Sequence, residues 1–378
     1  MSIVWKETSL SVTIIRFPVR VGFHARLKQR VHQYFADNRL PKTGDWRLFL
    51  KTGIIVLWFG LSYILYVFFA TSLLMSLLTV VALAQGFILI GFNMMHDGAH
   101  HSYSRQKTIN WLMGFTLDLI GGSHVRWRQK HNILHHTYTN IHGFDADLHT
   151  AGLLRLSPEQ PWHPWHRWQH LYAWPAYSLL TLSWVMYGDF RMFFSGHIGH
   201  HPLPRQTRVE AGVFFVTKLW YFGYMLVLPA FFHPVLHVLI AFVVMHGLFG
   251  FTLSLVFQLA HIVEHIAFPT PAAHTGRMAQ EWAVHQVETT ANFAPTNAFA
   301  RWCLGGLNFQ IEHHLFSSIC HIHYPAISTI VRQTCDEFAI PYVCYPTVWA
   351  AIVGHYRLLK TLRSRSMSLP TFVGGMVL

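Results

Sequence analysis

The sequence predicts an all-α integral membrane protein, with four transmembrane helices in two hairpins and a cytosolic helical cap at one end. Three observations carry this. The 378 residues are 52% hydrophobic and only 12% charged, too apolar and charge-poor for an ordinary soluble domain. The chain carries a formal net charge of +12, yet lysine and arginine are absent from Gly53 to Ser104 and again from Leu219 to Gly276. Basic flanks around charge-free apolar runs mark spans joined by cytosolic loops. The apolar stretches also come in pairs, each with about the 20 residues needed to cross the hydrocarbon core. A basic chain can instead mean nucleic acid, but no basic stripe with a reading motif appears, so no nucleic-acid partner is expected.

In order along the chain, residues 1–51 form a basic cytosolic segment (Arg16, Arg20, Arg26, Lys28, Arg30, Lys42, Arg47, Lys51). Within it His24–Asn38 reads as a short helix with basic and apolar faces, expected to lie on lipid headgroups. Residues 52–95 are the first hairpin, with spans Gly53–Ala70 and Leu73–Met95. Residues 96–210 are cytosolic and rich in Trp and His. There Leu171–Gly188 is long enough to span, but a crossing would put its two flanks on opposite sides and separate the histidine clusters described below. It is therefore expected to be interfacial or re-entrant, in keeping with its Trp, Tyr and Pro175 content. Residues 211–260 are the second hairpin, Ala211–Phe232 and Val235–Leu259, turning at His233-Pro234. Lys218 inside it is expected to snorkel to the headgroups. Residues 261–378 return to the cytosol and end in helices over Ala326–Phe338 and Thr347–Arg363. Both termini and the site are expected on the cytosolic side. The four cysteines (Cys303, Cys320, Cys335, Cys344) lack CxxC spacing, so reduced, unmetallated thiols are the expectation.

Three histidine clusters lie just outside the apolar runs: His96-Asp97-Gly98-Ala99-His100-His101, His131-Asn132-Ile133-Leu134-His135-His136 and Gln310-Ile311-Glu312-His313-His314. Neutral imidazole is a common ligand for iron, zinc and copper. Residues four apart share a helix face, so His96/His100 and His131/His135 can each clamp an ion. So many nitrogens exceed the needs of one tetrahedral zinc and suit a two-metal site. Beside a bilayer, a histidine-rich two-iron centre points to oxygen activation and attack on an unactivated C–H bond of a lipid chain, chemistry beyond any side chain alone. A histidine-rich metal transporter is the competing class. It should place its ligands at mid-membrane, whereas these clusters fall at span ends.

The three boxes, HDGAH, HNILHH and QIEHH, stand in that order around two hairpins of spans. In this the chain resembles the membrane fatty acid desaturases, whose pattern is HxxxH, Hxx(x)HH and (H/Q)xxHH. The stretches LHHTYTNI (134–141), WAVHQVETTANFA (282–294) and GGLNFQIEHHLF (305–316) resemble the bacterial acyl desaturase branch, and the likeness runs from about Arg16 to Arg363. The resemblance implies a di-iron centre held by His96, His100, His131, His135, His136, His313 and His314. It adds His261, at the end of the fourth span, as a ligand from outside the boxes. His265 is the competitor for that role. Gln310, where many relatives have histidine, is typical of the front-end branch, which desaturates between an existing double bond and the carboxyl end. Gln310 and Asp97 are assigned to the catalytic site without being ligands. Asp97, Asp145 and Asp147 are suited to orienting imidazoles.

The implied reaction is oxygen-dependent insertion of a cis double bond into a fatty acyl chain, carried as acyl-CoA, acyl-carrier protein or acyl-lipid in the bacterial inner membrane. A related hydroxylase or ketolase would use the same centre. No His-Pro-Gly-Gly haem motif, GxGxxG or cluster-binding cysteine set is present, so electrons are expected from a ferredoxin or a b-type cytochrome with its reductase. His101 points away from His100 on a helix, and His285 suits a substrate or orienting role better than ligation. His163, His166, His170, His197, His200 and His201 are expected at the surface or facing headgroups. Packing is the expectation for His233, His237 and His246.

Overall fold

A computed structural model describes residues 15–19 and 22–365. Both termini, and Arg20 of the basic segment, lie outside the described residues. The first described helix, α1 (Phe23–Asp37), repeats an apolar residue every four positions: Phe23, Leu27, Val31 and Phe35 are all buried. They do not meet lipid. They pack against the Ile327–Val331–Cys335 face of a later helix within one cluster, which corrects the expectation of a headgroup helix. An apolar stripe has the same period whether it faces lipid or protein, and each such buried side chain is worth roughly 1.5–3 kcal/mol.

Four helices are long and apolar enough to cross a membrane: α2 (Trp46–Phe69), α3 (Leu73–Ala99), and, further on, Arg208–Ala230 and Val235–His261. Asp45 caps α2 by accepting from the Arg47 N–H, and Ser72 caps α3 by accepting from Met75 N–H, satisfying donors a helix start leaves open. The connection between them is only Ala70–Ser72, so α2 and α3 form an antiparallel hairpin. α3 runs longer than the apolar stretch and ends inside the first histidine box. Its last full turn before His96, Gly91–Met95, is a widened π-type turn, a feature frequent at functional sites. Gly98 lets α4 (Lys107–Leu119) lie against the box, because a Cβ there would stand 2.5 Å from Gly114 N.

The second box lies on α5 (residues 124–138), whose middle, Gln129–His135, is again a π-type turn. Helices α6 (Gln169–Tyr177) and α7 (residues 180–195) then pack along the fourth long helix. Thr181 Oγ1 donates to the His246 carbonyl and Ser254 Oγ to the Tyr177 carbonyl. His246 lies fifteen residues from the His261 end, roughly 22 Å along the axis. The chain thus descends deep beside that helix and returns to Arg208 at the end where it started.

α8 (Arg208–Ala230) and α9 (Val235–His261) complete the spans, and α9 packs on α3. Their facing sides bury Phe87, Tyr221, Phe242, Met245 and Phe249 in one cluster, while Leu57, Leu73, Leu219 and Phe231 on the outside are 70%, 82%, 73% and 79% exposed. Outward apolar faces of this extent suit lipid. Lys218 on α8 is 3% exposed. Its ammonium donates to Asp189 Oδ2 at 2.8 Å and to the Gly121 carbonyl at 2.5 Å. It does not snorkel, because α7 delivers a carboxylate to it.

Beyond α9 come α10 (Trp282–Glu288), α11 (Ala298–Cys303), α12 (Gln310–Leu315), α13 (Tyr324–Glu337) and α14 (Val348–Thr361). Together with α1 they make the cap. A short parallel pairing, Asn292↔Cys344 and Phe293↔Tyr345, ties α14 to the segment before α11. Gly305, with φ 57°, lies so close to α3 that a Cβ would meet the Phe92 carbonyl oxygen at 2.2 Å. That contact presses α12 and its box onto the end of α3.

Candidate metal centre

Each of the three boxes sits at or beside a helix end, and α9 finishes level with them. His96 and His100 come from the end of α3, His131 and His135 from the π-type turn of α5 and His136 from the residue after it, His261 from the last turn of α9, and His313 and His314 from α12. In a π-type turn the i→i+5 pattern widens the coil. Residues four and five apart can then share a face, which brings both His135 and His136 inward with His131.

All eight rings are buried, and seven of them fall into two neighbouring groups. His96, His100, His131 and His313 offer nitrogens within 4.8 Å of one another, and so do His135, His261 and His314. His136 lies between the groups, its ring centroid 4.7 Å from that of His313 and 4.4 Å from that of His314. The sequence pairing of His131 with His135 is met only in part. The two belong to a further group with Asp147, but His131 also completes the first group and His135 the second.

The Nε2 atoms of His96, His100, His135, His261, His313 and His314 are buried without any protein partner, and His131 Nε2 faces His136 Nε2 at 3.2 Å. A buried polar nitrogen without a partner costs roughly 1–3 kcal/mol, so this many together call for a group that accepts their lone pairs. Burial, reinforced by the neighbouring imidazoles, holds His100, His131, His136, His313 and His314 well below the usual histidine range. They are neutral, the form that donates to a metal. The residues fit a metal pair.

Four of the opposite nitrogens are tied down. His135 Nδ1 bonds Asp145 at 3.1 Å, His314 Nδ1 meets Gln286 Oε1 at 2.7 Å, His261 Nδ1 the Thr289 carbonyl at 3.4 Å and His313 Nδ1 the Tyr324 hydroxyl at 3.2 Å. Such contacts fix ring orientation and tautomer. Burial alone would lower His135, but Asp145 and Asp147 outweigh it and raise its pKa. Asp145 is itself oriented by the N–H groups of Asn140 and Asp147. Asp147 pairs with Lys130.

Gln310 is buried beside His261. Asp97 orients an imidazole as expected of it, though not one from a box: its Oδ2 accepts from His321 Nδ1 at 2.7 Å and from the Cys320 thiol at 3.1 Å. His101 is exposed, with φ 59°, and touches Arg128; His265, with φ 71°, is exposed as well. Neither reaches the groups. His285 is buried against Phe17, outside both groups. His166 and His170 are buried rather than superficial, His166 bonding the His163 N–H and the Gly152 carbonyl. His246 bonds Tyr221 and Thr181, and His233 the carbonyls of Tyr66 and Val67, as packing histidines should.

Sequence reasoning missed Gln286, Tyr324, Lys130 and His321. Gln286 stood in plain view in WAVHQVETTANFA, and His321 opens the His-x-His that follows the third box. The other two carry no local signal.

Comparison with known proteins places these features. A family model described as fatty acid desaturase matches residues 71–346. A Synechocystis sp. protein named sn-1 linoleoyl-lipid 6-desaturase is 38% identical over 358 residues, covering 94% of this chain and 100% of its own length. An Arthrospira platensis protein of the same name is 35% identical, over 92% of this chain and 94% of its own. An acyl-lipid (8-3)-desaturase of Physcomitrium patens is 39% identical, over 89% of this chain and 71% of its own.

Proposed function

Since the chain belongs to the fatty acid desaturase family, we propose that it is an oxygen-dependent desaturase that inserts a cis double bond into an acyl chain of a membrane lipid, on the carboxyl side of an existing double bond. The observation that carries the reading is the set of eight buried imidazoles, seven of them with a nitrogen left unpartnered, gathered between two span ends and helices α5 and α12. Gln310 and the names of the Synechocystis and Arthrospira relatives support the regiochemistry: carbon 6 of a linoleoyl chain lies between its double bonds and its carboxyl end.

In this reading His96, His100, His131 and His313 would hold one iron and His135, His261 and His314 the other, and His136, lying between the two groups of rings, would be available to either. The iron pair, with dioxygen and electrons from a ferredoxin or a b-type cytochrome and its reductase, supplies the oxidising power that side chains lack. The protein's own work is positional. Asp145, Gln286, the Thr289 carbonyl and Tyr324 hold the rings so that their free nitrogens converge. Gln310 lies beside His261, and Asp97 anchors His321 behind the first box. The apolar faces of α3, α8 and α9 exclude water from the approach of the chain. The site faces the cytosol across a bacterial inner membrane, a placement supported by the lysine and arginine distribution.

The test is expression in a host that lacks polyunsaturated lipids, with linoleate supplied and double bonds located by gas chromatography and mass spectrometry. A new cis bond nearer the carboxyl end is expected; an added hydroxyl with no new double bond would replace the reading with a hydroxylase. The purified protein should carry close to two irons. His261→Ala should abolish turnover and lose about half the iron while the protein still inserts, since removing one ligand empties its own metal first. If it keeps both irons and full turnover, His261 only ends the helix.

A further inference from the structure

A second polar site lies behind the first box. At the start of α2, Arg47 and Lys51 face α11 and the loop before α13 across a cavity of about 320 Å³, which Arg301, Trp302, Gly306 and His321 also line. No aspartate or glutamate lines it. Asp45 takes part of the charge of Arg47, its Oδ2 accepting from Arg47 Nη2 at 2.7 Å and Nε at 3.0 Å. Lys51 and Arg301 have no carboxylate within ion-pair distance among the described residues.

Lys51 is the decisive residue. It is 7% exposed, and its only hydrogen-bond partner among the described residues is His321 Nε2, at 3.3 Å. Because His321 Nδ1 donates to Asp97, its Nε2 is free to accept from the ammonium. An ammonium carries three donors, so two remain for whatever occupies the cavity. A buried charge left this way is costly unless a counter-ion arrives. The Asp97, Cys320 and His321 side chains also lie together, but they bond one another and leave no orphaned atom for a metal.

The surroundings indicate where the counter-ion comes from. Trp46, Phe49 and Leu50, on the outer side of the same turn of α2, are 70%, 46% and 57% exposed, and Phe299 and Trp302 on α11 are 77% and 39% exposed. Exposed aromatics beside basic side chains mark the headgroup level of a bilayer. A concave site with an arginine fork and a lysine point charge suits a phosphate. The flat surface of an acidic protein would not enter it.

We propose that this cavity seats the phosphate of a glycerophospholipid whose acyl chain is the substrate. The proposal rests on the acyl-lipid reading above and adds the headgroup class. It also gives the regiochemistry a cause. The cavity is joined to the first box by Lys51, His321 and Asp97, the residue next to His96. A headgroup held there keeps the ester end of its chain close to the histidines.

The test is binding of dihexanoylphosphatidylglycerol to the iron-loaded full chain in a neutral detergent, by titration calorimetry. Dihexanoylglycerol, inorganic phosphate and coenzyme A serve as the other probes. Charge-assisted hydrogen bonds are worth enough that the phospholipid should bind at least about tenfold tighter than dihexanoylglycerol. Arg301→Gln, at the half-buried rim, and Lys51→Met should each erase most of that preference with iron content unchanged. Equal affinity for the two lipids, or a preference that survives both substitutions, would overturn the proposal. So would displacement by inorganic phosphate or coenzyme A at equal concentration, which would make the source a free phosphate or a thioester. Slower reduction by ferredoxin in Arg301→Gln with lipid binding intact would make the patch a protein-docking surface instead. Failure of the binding arm while linoleate is still desaturated removes this proposal alone; binding without any new double bond removes the desaturase reading alone.

Discussion

Two lysines lie buried in the spans, and they are solved in opposite ways. Lys218 on α8 is enclosed by a carboxylate from α7 and a backbone carbonyl from the end of α4, with Phe190 and Phe214 rings nearby. Every partner is protein, and the charge is neutralised inside the fold. Lys51 on α2 meets the His321 imidazole and the ring of Trp302, and lines an open cavity. The first arrangement stabilises a bundle; the second sets an ammonium beside no carboxylate among the described residues. Hydropathy alone treats the two residues alike, so the difference between a staple and a receptor lies in what the rest of the chain brings to each.

The largest effect should come from opening the closed pair. Lys218→Met leaves Asp189 buried and unpaired, which should destabilise the protein by about 3–5 kcal/mol, read from unfolding in mixed micelles. Adding Asp189→Leu should recover most of that loss, since an apolar pair of similar volume replaces a buried ion pair at little cost. If the single variant is as stable as the parent, the pair is not the closed unit described.

An intermediate effect calibrates burial without a formal charge. His355 donates Nδ1–H to the Ile262 carbonyl at 2.6 Å and accepts from the Tyr177 hydroxyl at 2.7 Å. Burial pushes it down to about 4, although the carbonyl bond pulls the other way. Its folded pKa lies below the unfolded value near 6.5, so the fold prefers the neutral ring. The contribution is complete above pH 6.5 and is lost as pH falls through the window toward 4. His355→Gln should therefore show a flatter stability profile than the parent between pH 6.5 and 4, the difference reaching at most about 3 kcal/mol. Parallel profiles would mean that water reaches the ring.

The smallest effect should come from the open lysine. Lys51→Met removes an unneutralised buried charge and a single hydrogen bond, so in detergent without phospholipid its stability should stay within about 1 kcal/mol of the parent or rise slightly. A loss as large as that of Lys218→Met would show that Lys51 is already neutralised within the protein, and the comparison would collapse.

Much of the site was legible beforehand because its signals are short-range. The box spacings put His96 with His100 and His313 beside His314 on whatever helix forms, and His261 marks the end of an apolar run. The bonds that orient these rings were less visible. Asp145 is ten residues from His135 and could be suspected, but Gln286 is 28 residues from His314 and Thr289 is 28 from His261. Tyr324 and Lys130 are ordinary residues until folding sets them beside a ring or a carboxylate. The expectation for Lys218 failed for the same reason, since its partner is 29 residues upstream on a separate helix. α1 failed differently: its amphipathic period was read correctly, but period says nothing about whether the facing surface is lipid or protein.

By itself the sequence determined the number of spans, their pairing into hairpins and the identity of the histidines. Hydropathy is a sum over neighbours in the chain, and helix faces follow from spacing alone. Only the tertiary structure decided how those histidines divide between two groups, because the division depends on widened turns in α3 and α5 and on Gly305 letting α12 close against α3. It also decided which buried lysine is satisfied and which is left to bind. Electrostatic energy depends on the distance between charges in space, and no window of sequence measures that.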